Sequence, residues 1–202
     1  GCMLSSGDAI ALGLLDVVVA QEDKQAIIAK LSEQNWVQDP AANAQAITQI
    51  LSGFAVGETL PTKLLKHREL ISEFIQSCLD AEHFFEAFDS GLSALQIDEW
   101  LAGAVATYQS GSATTARIFF EQIRRSKGMS LEEMFQMELV IAYQCIRHPD
   151  FPEGVRALLV DKDKNPAWVY PSASGVPEEY LNEHFEPVWE GIHPLGELGK
   201  NG

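Results

Sequence analysis

Apolar side chains recur every three or four residues through most of this 202-residue chain, which is the spacing of amphipathic helices. The pattern predicts a mainly α fold with at most one or two short strands. The single β-type run is Val17 to Ala20. The predicted helical stripes are Ile27, Ile28 and Leu31; Ile47, Ile50, Leu51 and Phe54; Leu64, Ile71, Phe74, Ile75 and Cys78; Ile97, Leu101, Ala104, Val105 and Tyr108; and Ala116, Phe119, Phe120 and Ile123.

Helix-start residues precede most of these stripes. The predicted N-terminal signals are Ser5 with a capping box to Asp8 in a helix through Leu14, the pair Asp39-Pro40, Ser93, the break at Gly111-Ser112, and a capping box from Ser130 to Glu133. The helix from Met134 to Ile146 is apolar on most sides, and we expect it to be buried at the centre of the packing.

The composition changes after His148-Pro149. A short helix beginning at Asp150 runs into Leu158 to Val160, and a charged turn, 161–164, follows it. The last forty residues are rich in Pro, Gly and Glu. They predict a surface tail with one short helix near Glu178 to His184.

The charge balance narrows the range of partners. Lys and Arg number 14 against 29 Asp and Glu, which gives a formal net charge of -15. Such a surface repels phosphate backbones and anionic headgroups, so neither nucleic acid nor a membrane is an expected partner. The three dispersed cysteines suit a reducing compartment. We expect a soluble protein of the cytoplasm, or of the mitochondrial matrix in a eukaryote.

Local motifs indicate no catalytic residue and no metal site. GxSxG, phosphate-loop, HExxH and dinucleotide signatures do not occur, and the five histidines lack metal-ligand spacing, which favours surface or capping roles. Asp80, Glu82, His83 and Glu86 could form a carboxylate-tuned base, but a solvated helix face with Phe84, Phe85 and Phe88 on the core side is favoured.

Two further groups of polar residues have structural explanations. Glu138 lies in an apolar helix and would need a partner, for which Arg117, Arg124 and Arg147 are candidates, so a buried ion pair is favoured over catalysis. The hydroxyl residues after Gly111 suit a helix start rather than nucleophilic attack, since no base is placed near them. These residues are Ser112, Thr114 and Thr115.

Residues 130–168, SLEEMFQMELVIAYQCIRHPDFPEGVRALLVDKDKNPAW, resemble the end of the 3-hydroxyisobutyryl-CoA hydrolases, a branch of the crotonase (enoyl-CoA hydratase/isomerase) superfamily. That family shows "SLxExxxME" followed by "DFxEGVRAxLxDKDxxPxW". The segment LSSGDA, with Gly13-Leu14 and Asp16 after it, resembles the family's stretch that follows the catalytic core. The resemblance implies a helical carboxy-terminal part of a crotonase-like fold, divided as 1–20 (end of the core), 21–170 (helical region) and 171–202 (surface tail).

The resemblance also implies a function. The parent protein would hydrolyse 3-hydroxyisobutyryl-CoA, a valine-breakdown intermediate, with catalytic groups that lie before LSSGDA, so this half would be inactive alone and would pack on the amino-terminal catalytic half. It implies no cofactor beyond the CoA of the substrate. By analogy it makes Lys162 a candidate for a phosphate or adenine contact to that CoA, and a solvated turn lysine is the alternative. A homo-oligomer is expected if the docking face stays uncovered. An enoyl-CoA hydratase or isomerase and a stand-alone helical interaction module remain the alternatives.

Overall fold

Ten α-helices follow one another along residues 2–57 and 60–199, the parts of the chain that a computed structural model describes. No strand occurs in these ranges, which confirms the predicted mainly α class. The helices are α1 (Ser6–Ala11), α2 (Lys24–Glu33), α3 (Pro40–Ser52), α4 (Arg68–Leu79), α5 (Phe84–Gly91), α6 (Glu99–Ser110), α7 (Ala113–Arg125), α8 (Leu131–Arg147), α9 (Asp150–Val155) and α10 (Glu178–Glu183).

The chain packs as two units, and the boundary between them falls within α4. One unit is Met3–Ser72, and the other contains Cys2 and the described residues from 73 to 199. Short 3-10 turns lie between the α-helices, at Gln21–Asp23, Leu65–His67, Leu92–Leu95 and Ala173–Gly175. A π-helical turn, Arg156–Val160, extends α9.

A buried carboxylate organises the Met3–Ser72 unit. Ser5 caps α1 as predicted, but Asp8 does not complete the expected capping box: its carboxylate accepts hydrogen bonds from the backbone N–H groups of Lys63 (2.8 Å) and Leu65 (3.1 Å) and from the Ser5 hydroxyl (2.7 Å). Burial raises the pKa of Asp8, yet these bonds outweigh it and hold the pKa below its usual range. A Cβ on Gly7 would lie 2.5 Å from the Pro61 carbonyl oxygen, so only glycine allows this approach.

The predicted strand from Val17 to Ala20 is reduced to one antiparallel bridge between Val19 and Ala55. The Val56 N–H donates to the Val18 carbonyl oxygen at 2.8 Å. The segment that pairs with it, around Ala55, follows directly after the end of α3 at Ser52. The extended pairing is therefore short. Asp39 caps α3 and Pro40 occupies its first turn, as the sequence predicts.

Asp98, and not Ser93, caps α6. The Asp98 carboxylate accepts from the Leu101 N–H at 3.0 Å, while Ser93 lies within the 3-10 turn Leu92–Leu95. Because the helix starts later than predicted, Ile97 lies outside it and is 61% exposed. Leu101 and Val105 are buried on the inner face, as expected.

The predicted surface tail contributes to the core. Val176 and Leu181 are almost fully buried and cluster with Ala113, Ile118 and Ile141 of α7 and α8. The short helix predicted near Glu178 to His184 is present as α10. The correction concerns burial: the Pro/Gly/Glu-rich composition of 171–202 conceals a few apolar residues that pack inward, whereas its described end lies on the surface.

The inner face of α7 differs from the predicted one. The buried residues are Ala113, Thr114, Arg117, Ile118 and Glu121, whereas Phe119 is 63% exposed and Ile123 is 50% exposed. Polar partners explain the difference, since Arg117 bonds Glu178 and the Ala173 carbonyl oxygen. The spacing of apolar residues alone does not identify a buried helix face that carries charged side chains in ion pairs.

Helix α8 begins with the predicted capping box but is not buried all round. Its buried residues are Val140, Ile141 and Gln144, and the opposite side exposes Leu131 (65%), Phe135 (47%) and Ile146 (61%). These three residues share one side of the helix by its 3.6-residue period. Together with Phe119 and Ile123 of α7 we call them the outer apolar face.

Candidate functional site

Asp150, at the start of α9, connects three segments of the 73–199 unit. It is buried, and its carboxylate accepts from the Ser112 hydroxyl at 2.6 Å and from the Val169 N–H at 2.9 Å. Ser112 also caps α7 by accepting from the Thr115 N–H. The predicted helix-start role of Ser112 is therefore confirmed, and its hydroxyl hydrogen is donated to Asp150.

Arg156 makes hydrogen bonds along the segment 153–168, EGVRALLVDKDKNPAW. Its guanidinium donates to Glu153 (2.8 and 2.9 Å), to Asp161 (2.7 Å), to Asp163 (2.7 Å) and to the Asn165 carbonyl oxygen (3.2 Å). The hydrogen bond from Arg156, followed by that from the Ala167 N–H, lowers the pKa of Glu153 to about 2. Hydrogen bonds to Glu153, Asp163 and Asp161 in turn raise the pKa of Arg156. One guanidinium thus closes the loop that follows α9.

Lys162 lies at the tip of this loop, between two of the carboxylates bonded to Arg156. Its φ is 59°, and Lys164 has a φ of 55°; both side chains are exposed. In the described ranges neither lysine has an ion-pair partner. The loop therefore presents two cations to solvent in a chain of net charge -15.

Trp168 closes the base of the loop. Its indole N–H donates to the Ser110 carbonyl oxygen at 2.9 Å, and a Cβ on Gly154 would lie 3.3 Å from the indole ring. The glycine at 154 is thus the residue that lets the ring approach α9. Trp168 therefore contacts the end of α6 and packs against α9.

A largely apolar cavity of about 340 Å³ lies beside α9 and its π-helical extension. Burial lowers the pKa of His184 and raises the pKa of the Cys145 thiol, so both favour their uncharged forms. The ring nitrogens of His148 lie 2.8 Å from the Gln144 carbonyl oxygen and 3.0 Å from the Glu183 carboxylate, and the centre of its ring lies 4.0 Å from that of His184. The lining includes Ile118, Cys145, His148, Phe151, Val155, Leu158, Leu159, Trp168 and His184.

The cavity offers a binding surface rather than a catalytic pair. Its Ser112 hydroxyl is bonded to Asp150, and the buried Thr114 hydroxyl has no hydrogen-bond partner among the described residues. No group of three or more His, Cys, Asp or Glu residues that could hold a metal ion is found in residues 2–57 and 60–199. What the cavity can do chemically is receive an apolar group.

Histidines mark helix ends, as predicted, but they are not all on the surface. His83 precedes α5, His148 follows α8 and His184 follows α10. His184 is 1% exposed, but as the C-cap residue of α10 it has the predicted capping role. His67 is 7% exposed within the 3-10 turn Leu65–His67, so a surface role is wrong for it. The remaining one, His193, is half-buried and its ring contacts the Gln136 carbonyl oxygen.

The acidic group at 80–86 has the predicted solvated character. Asp80 accepts from the Gln76 side chain, and Glu82, His83 and Glu86 are exposed. The phenylalanines beside it pack against other rings: the Phe84 ring centroid lies 4.5 Å from that of Phe120, 5.0 Å from that of Phe85 and 5.7 Å from that of Phe88.

Glu138 is not in a buried ion pair. It is exposed and accepts one hydrogen bond from Gln122. The buried carboxylate of this region is Glu121, which accepts from Arg124 and Arg125. Periodicity assigned burial to the wrong helix face, whereas the spacing of Glu121 with Arg124 and Arg125, three and four residues apart, was a usable signal.

The comparisons with known proteins agree with this geometry. The family model described as enoyl-CoA hydratase/isomerase matches residues 1–185. A structure titled as a carnitinyl-CoA dehydratase from Mycobacterium thermoresistibile superposes with a TM-score of 0.69 at 24% identity, covering 92% of this chain and 48% of that chain. The chain belongs to the enoyl-CoA hydratase/isomerase family, and the predicted membership is confirmed.

Two curated relatives from different organisms share the name 3-hydroxyisobutyryl-CoA hydrolase. The mitochondrial 3-hydroxyisobutyryl-CoA hydrolase of Dictyostelium discoideum is 30% identical over 195 residues, which cover 93% of this chain and 47% of the relative. The protein of the same name from Danio rerio is 36% identical over 132 residues, 57% of this chain and 35% of the relative. The chain spans about half the length of the curated relatives it matches or less. Among the described residues, no helix is long and apolar enough to cross a membrane.

Proposed function

We propose that this chain is the carboxy-terminal half of a thioesterase that hydrolyses 3-hydroxyisobutyryl-CoA, and that it is inactive without the catalytic half. The observation that carries the proposal is the match to the Dictyostelium hydrolase, which extends over 93% of this chain but over 47% of the relative. Carboxylate-assisted attack and an oxyanion held by backbone amides would come from the other half.

The role of this half is to cover the acyl-CoA pocket and to contact the CoA. The outer apolar face provides the surface for packing on the catalytic half, since exposed apolar patches of this kind mark interaction sites. Lys162 supplies a point charge for an anionic group of CoA. Hydrolysis of this valine-breakdown intermediate would yield the free hydroxy acid and CoA. The reaction would take place in the cytoplasm or the mitochondrial matrix.

An assay with two polypeptides tests the proposal. The first is the 202-residue chain alone; the second is a chimera in which this chain replaces the matching half of the Dictyostelium hydrolase. We expect the chimera, but not the chain, to release free CoA from 3-hydroxyisobutyryl-CoA, followed with a thiol reagent. The catalytic half alone is the control and should be inactive.

The assay also separates the alternatives. A chimera that hydrates crotonyl-CoA and leaves the hydroxyacyl thioester intact would point to an enoyl-CoA hydratase. Release of CoA by the chain alone would contradict the inactive-half proposal. A chain that binds neither the catalytic half nor CoA would favour a stand-alone helical module.

A further inference from the structure

The apolar cavity beside α9 contains a polar group that the fold leaves without a partner. Thr114, in the first turn of α7, lines the cavity and is 2% exposed, and its hydroxyl has no hydrogen-bond partner among the described residues. A buried hydroxyl without a partner costs free energy, and such groups are rare in folded proteins. Thr114 therefore indicates a ligand that brings a hydrogen-bonding group into the cavity.

A second hydroxyl of the same kind lies next to the cavity wall. The Tyr180 ring centroid is 5.1 Å from that of His148 and 5.3 Å from that of His184, and both histidines line the cavity. In residues 2–57 and 60–199, the buried side-chain polar atoms that lack a partner are the hydroxyls of Tyr180 and Thr114. Unused hydrogen-bonding capacity is thus concentrated around this one cavity.

The charge of the wall selects against anions. Asp150 is buried and lines the cavity, and its carboxylate accepts from two uncharged donors, the Ser112 hydroxyl and the Val169 N–H. No lysine or arginine is found among the described residues that line the cavity. An anion would therefore meet a carboxylate in apolar surroundings, with no cation in the wall to offset the repulsion. The cavity suits an uncharged ligand and not the phosphates of a nucleotide.

The size and the open side of the cavity fit a small molecule. Its volume of about 340 Å³ is at the lower end of the roughly 300–1,000 Å³ of small-molecule sites. Leu158 and Leu159 of the π-helical turn line it and are 56% and 68% exposed, so a ligand can enter from solvent on that side. Turns of this wider helix are frequent at functional sites.

We propose that this cavity is a binding site for a small uncharged molecule with an apolar body and one hydrogen-bonding group, such as an alcohol. The Thr114 hydroxyl bonds the polar group, and apolar side chains including Ile118, Phe151 and Val155 surround the body. This site goes beyond the proposed function, because its ligand needs neither a thioester nor a phosphate.

Titration of the 202-residue chain with cyclohexanol, followed by NMR of the backbone amides, tests this inference. We expect the signals of residues that line the cavity to shift with a dissociation constant of about 1 mM or below. Cyclohexanecarboxylate has the same ring and a negative charge, and it should bind at least about tenfold more weakly. The absence of shifts at the cavity, or equal binding of the anion, overturns the proposal.

Thr114→Val separates the hydroxyl from the shape of the cavity. Its affinity for cyclohexanol should fall about three- to tenfold, because one hydrogen bond is lost. Its affinity for methylcyclohexane, which matches cyclohexanol in size but has no hydroxyl, should stay within about twofold of wild type. Thr107→Val is the matched control, since the Thr107 hydroxyl donates to the Gly103 carbonyl oxygen on the exposed side of α6, and both affinities should be unchanged.

A filled cavity provides a test that does not depend on Thr114. Val155→Phe places a larger side chain in the wall and should remove binding of both ligands. Binding that survives this change, or equal losses for the two ligands in Thr114→Val, contradicts the proposed site. These ligands contain no thioester, so failure of hydrolysis in the chimera leaves the result untouched, and the reverse also holds.

Discussion

At the scale of single residues, Glu121 shows how a buried carboxylate is kept ionised. It accepts from Arg124 Nε and a terminal nitrogen of Arg124 at 2.7 Å and from Arg125 Nε at 2.6 Å. The hydrogen bond from Arg124 lowers the pKa of Glu121 most, burial opposes it, and the net pKa is about 2 instead of 4.5. Arg125 in turn lies over the Phe185 ring at 4.0 Å, which links α7 to the end of α10.

This depressed pKa gives a pH-dependent prediction. The ionised form adds stability that is fully present above pH 4.5 and is lost as the pH falls towards about 2. Glu121→Gln should therefore destabilise the protein at pH 7, and its difference from wild type should shrink as the pH falls through that window. Urea unfolding followed by circular dichroism measures the difference.

Glu138→Gln is the matched control, because it removes an exposed carboxylate two turns into α8 that accepts one bond from Gln122. Its free energy of unfolding should stay within about 0.5 kcal/mol of wild type at pH 7. A constant gap between Glu121→Gln and wild type from pH 7 to pH 2 would show that ionisation of Glu121 does not stabilise the fold.

At the scale of elements, the start of α6 can be tested by comparing two caps. Ser93 is the cap that the sequence pattern predicts, and Asp98 is the cap that the structure contains. Asp98→Ala should cost about 1 kcal/mol, because the α6 N-cap is lost. Ser93→Ala should change the free energy of unfolding by less than about 0.5 kcal/mol. Chemical denaturation of both variants provides the comparison, and a larger effect at Ser93 would place the helix start where periodicity put it.

The same distinction explains how much of the fold could be predicted. The capping box of Ser130 and Glu133 and the cap at Asp39 are local, so a few adjacent residues suffice to identify them. The buried face of α7 was missed because Arg117 finds its partner in Glu178, 61 residues away in sequence. No local pattern contains that information.

The candidate site divides in a similar way. The phrase from Glu153 to Trp168 could be found by resemblance, and the Glu153–Arg156 pair has helical spacing. The contacts of Arg156 with Asp161 and Asp163, and the approach of Ser112 to Asp150, depend on the path of a non-helical loop and on packing between helices. They required the structure.

The tail provides a second prediction at this scale. Leu181 is 2% exposed in the cluster formed with α7 and α8, so Leu181→Ala should cost about 2–5 kcal/mol through lost burial and a residual cavity. Ile192→Ala, at 82% exposure in the same tail, should change stability by less than about 0.5 kcal/mol. Equal, small losses of unfolding free energy for the two variants would show that α10 does not contribute to the core.

At the scale of the whole molecule, the chain carries more apolar surface than its two small units cover. In the described part of the Met3–Ser72 unit, Ile27 is the one large aliphatic side chain that is buried, and the buried Asp8 carboxylate accepts hydrogen bonds from the Lys63 and Leu65 N–H groups. The larger unit has a true core around Leu181 but leaves the outer apolar face in solvent. A half-length match to longer relatives accounts for such a face if a second half covers it.

The outer apolar face predicts self-association of the chain when it is studied alone. Burial of exposed apolar surface is favourable at roughly 25 cal/mol per Å², so two copies should cover each other where no catalytic half is present. The double variant Phe119→Ser/Phe135→Ser should raise the dimer dissociation constant at least about tenfold in sedimentation experiments. Its free energy of unfolding should change little, because both rings are exposed.

Phe120→Ser is the control. The Phe120 ring, next to Phe119 in sequence, packs with its centroid 4.5 Å from that of Phe84 and 5.2 Å from that of Phe85. That change should lower stability and leave association of the folded fraction unchanged. A wild-type chain that remains monomeric at concentrations near about 100 µM, where a dimer with a free energy of association of roughly -5.5 kcal/mol would be half formed, would contradict self-association through this face. Assembly with the proposed catalytic half is a separate measurement: the same double variant should weaken it if that half packs on Phe119 and Phe135, whether or not the chain self-associates.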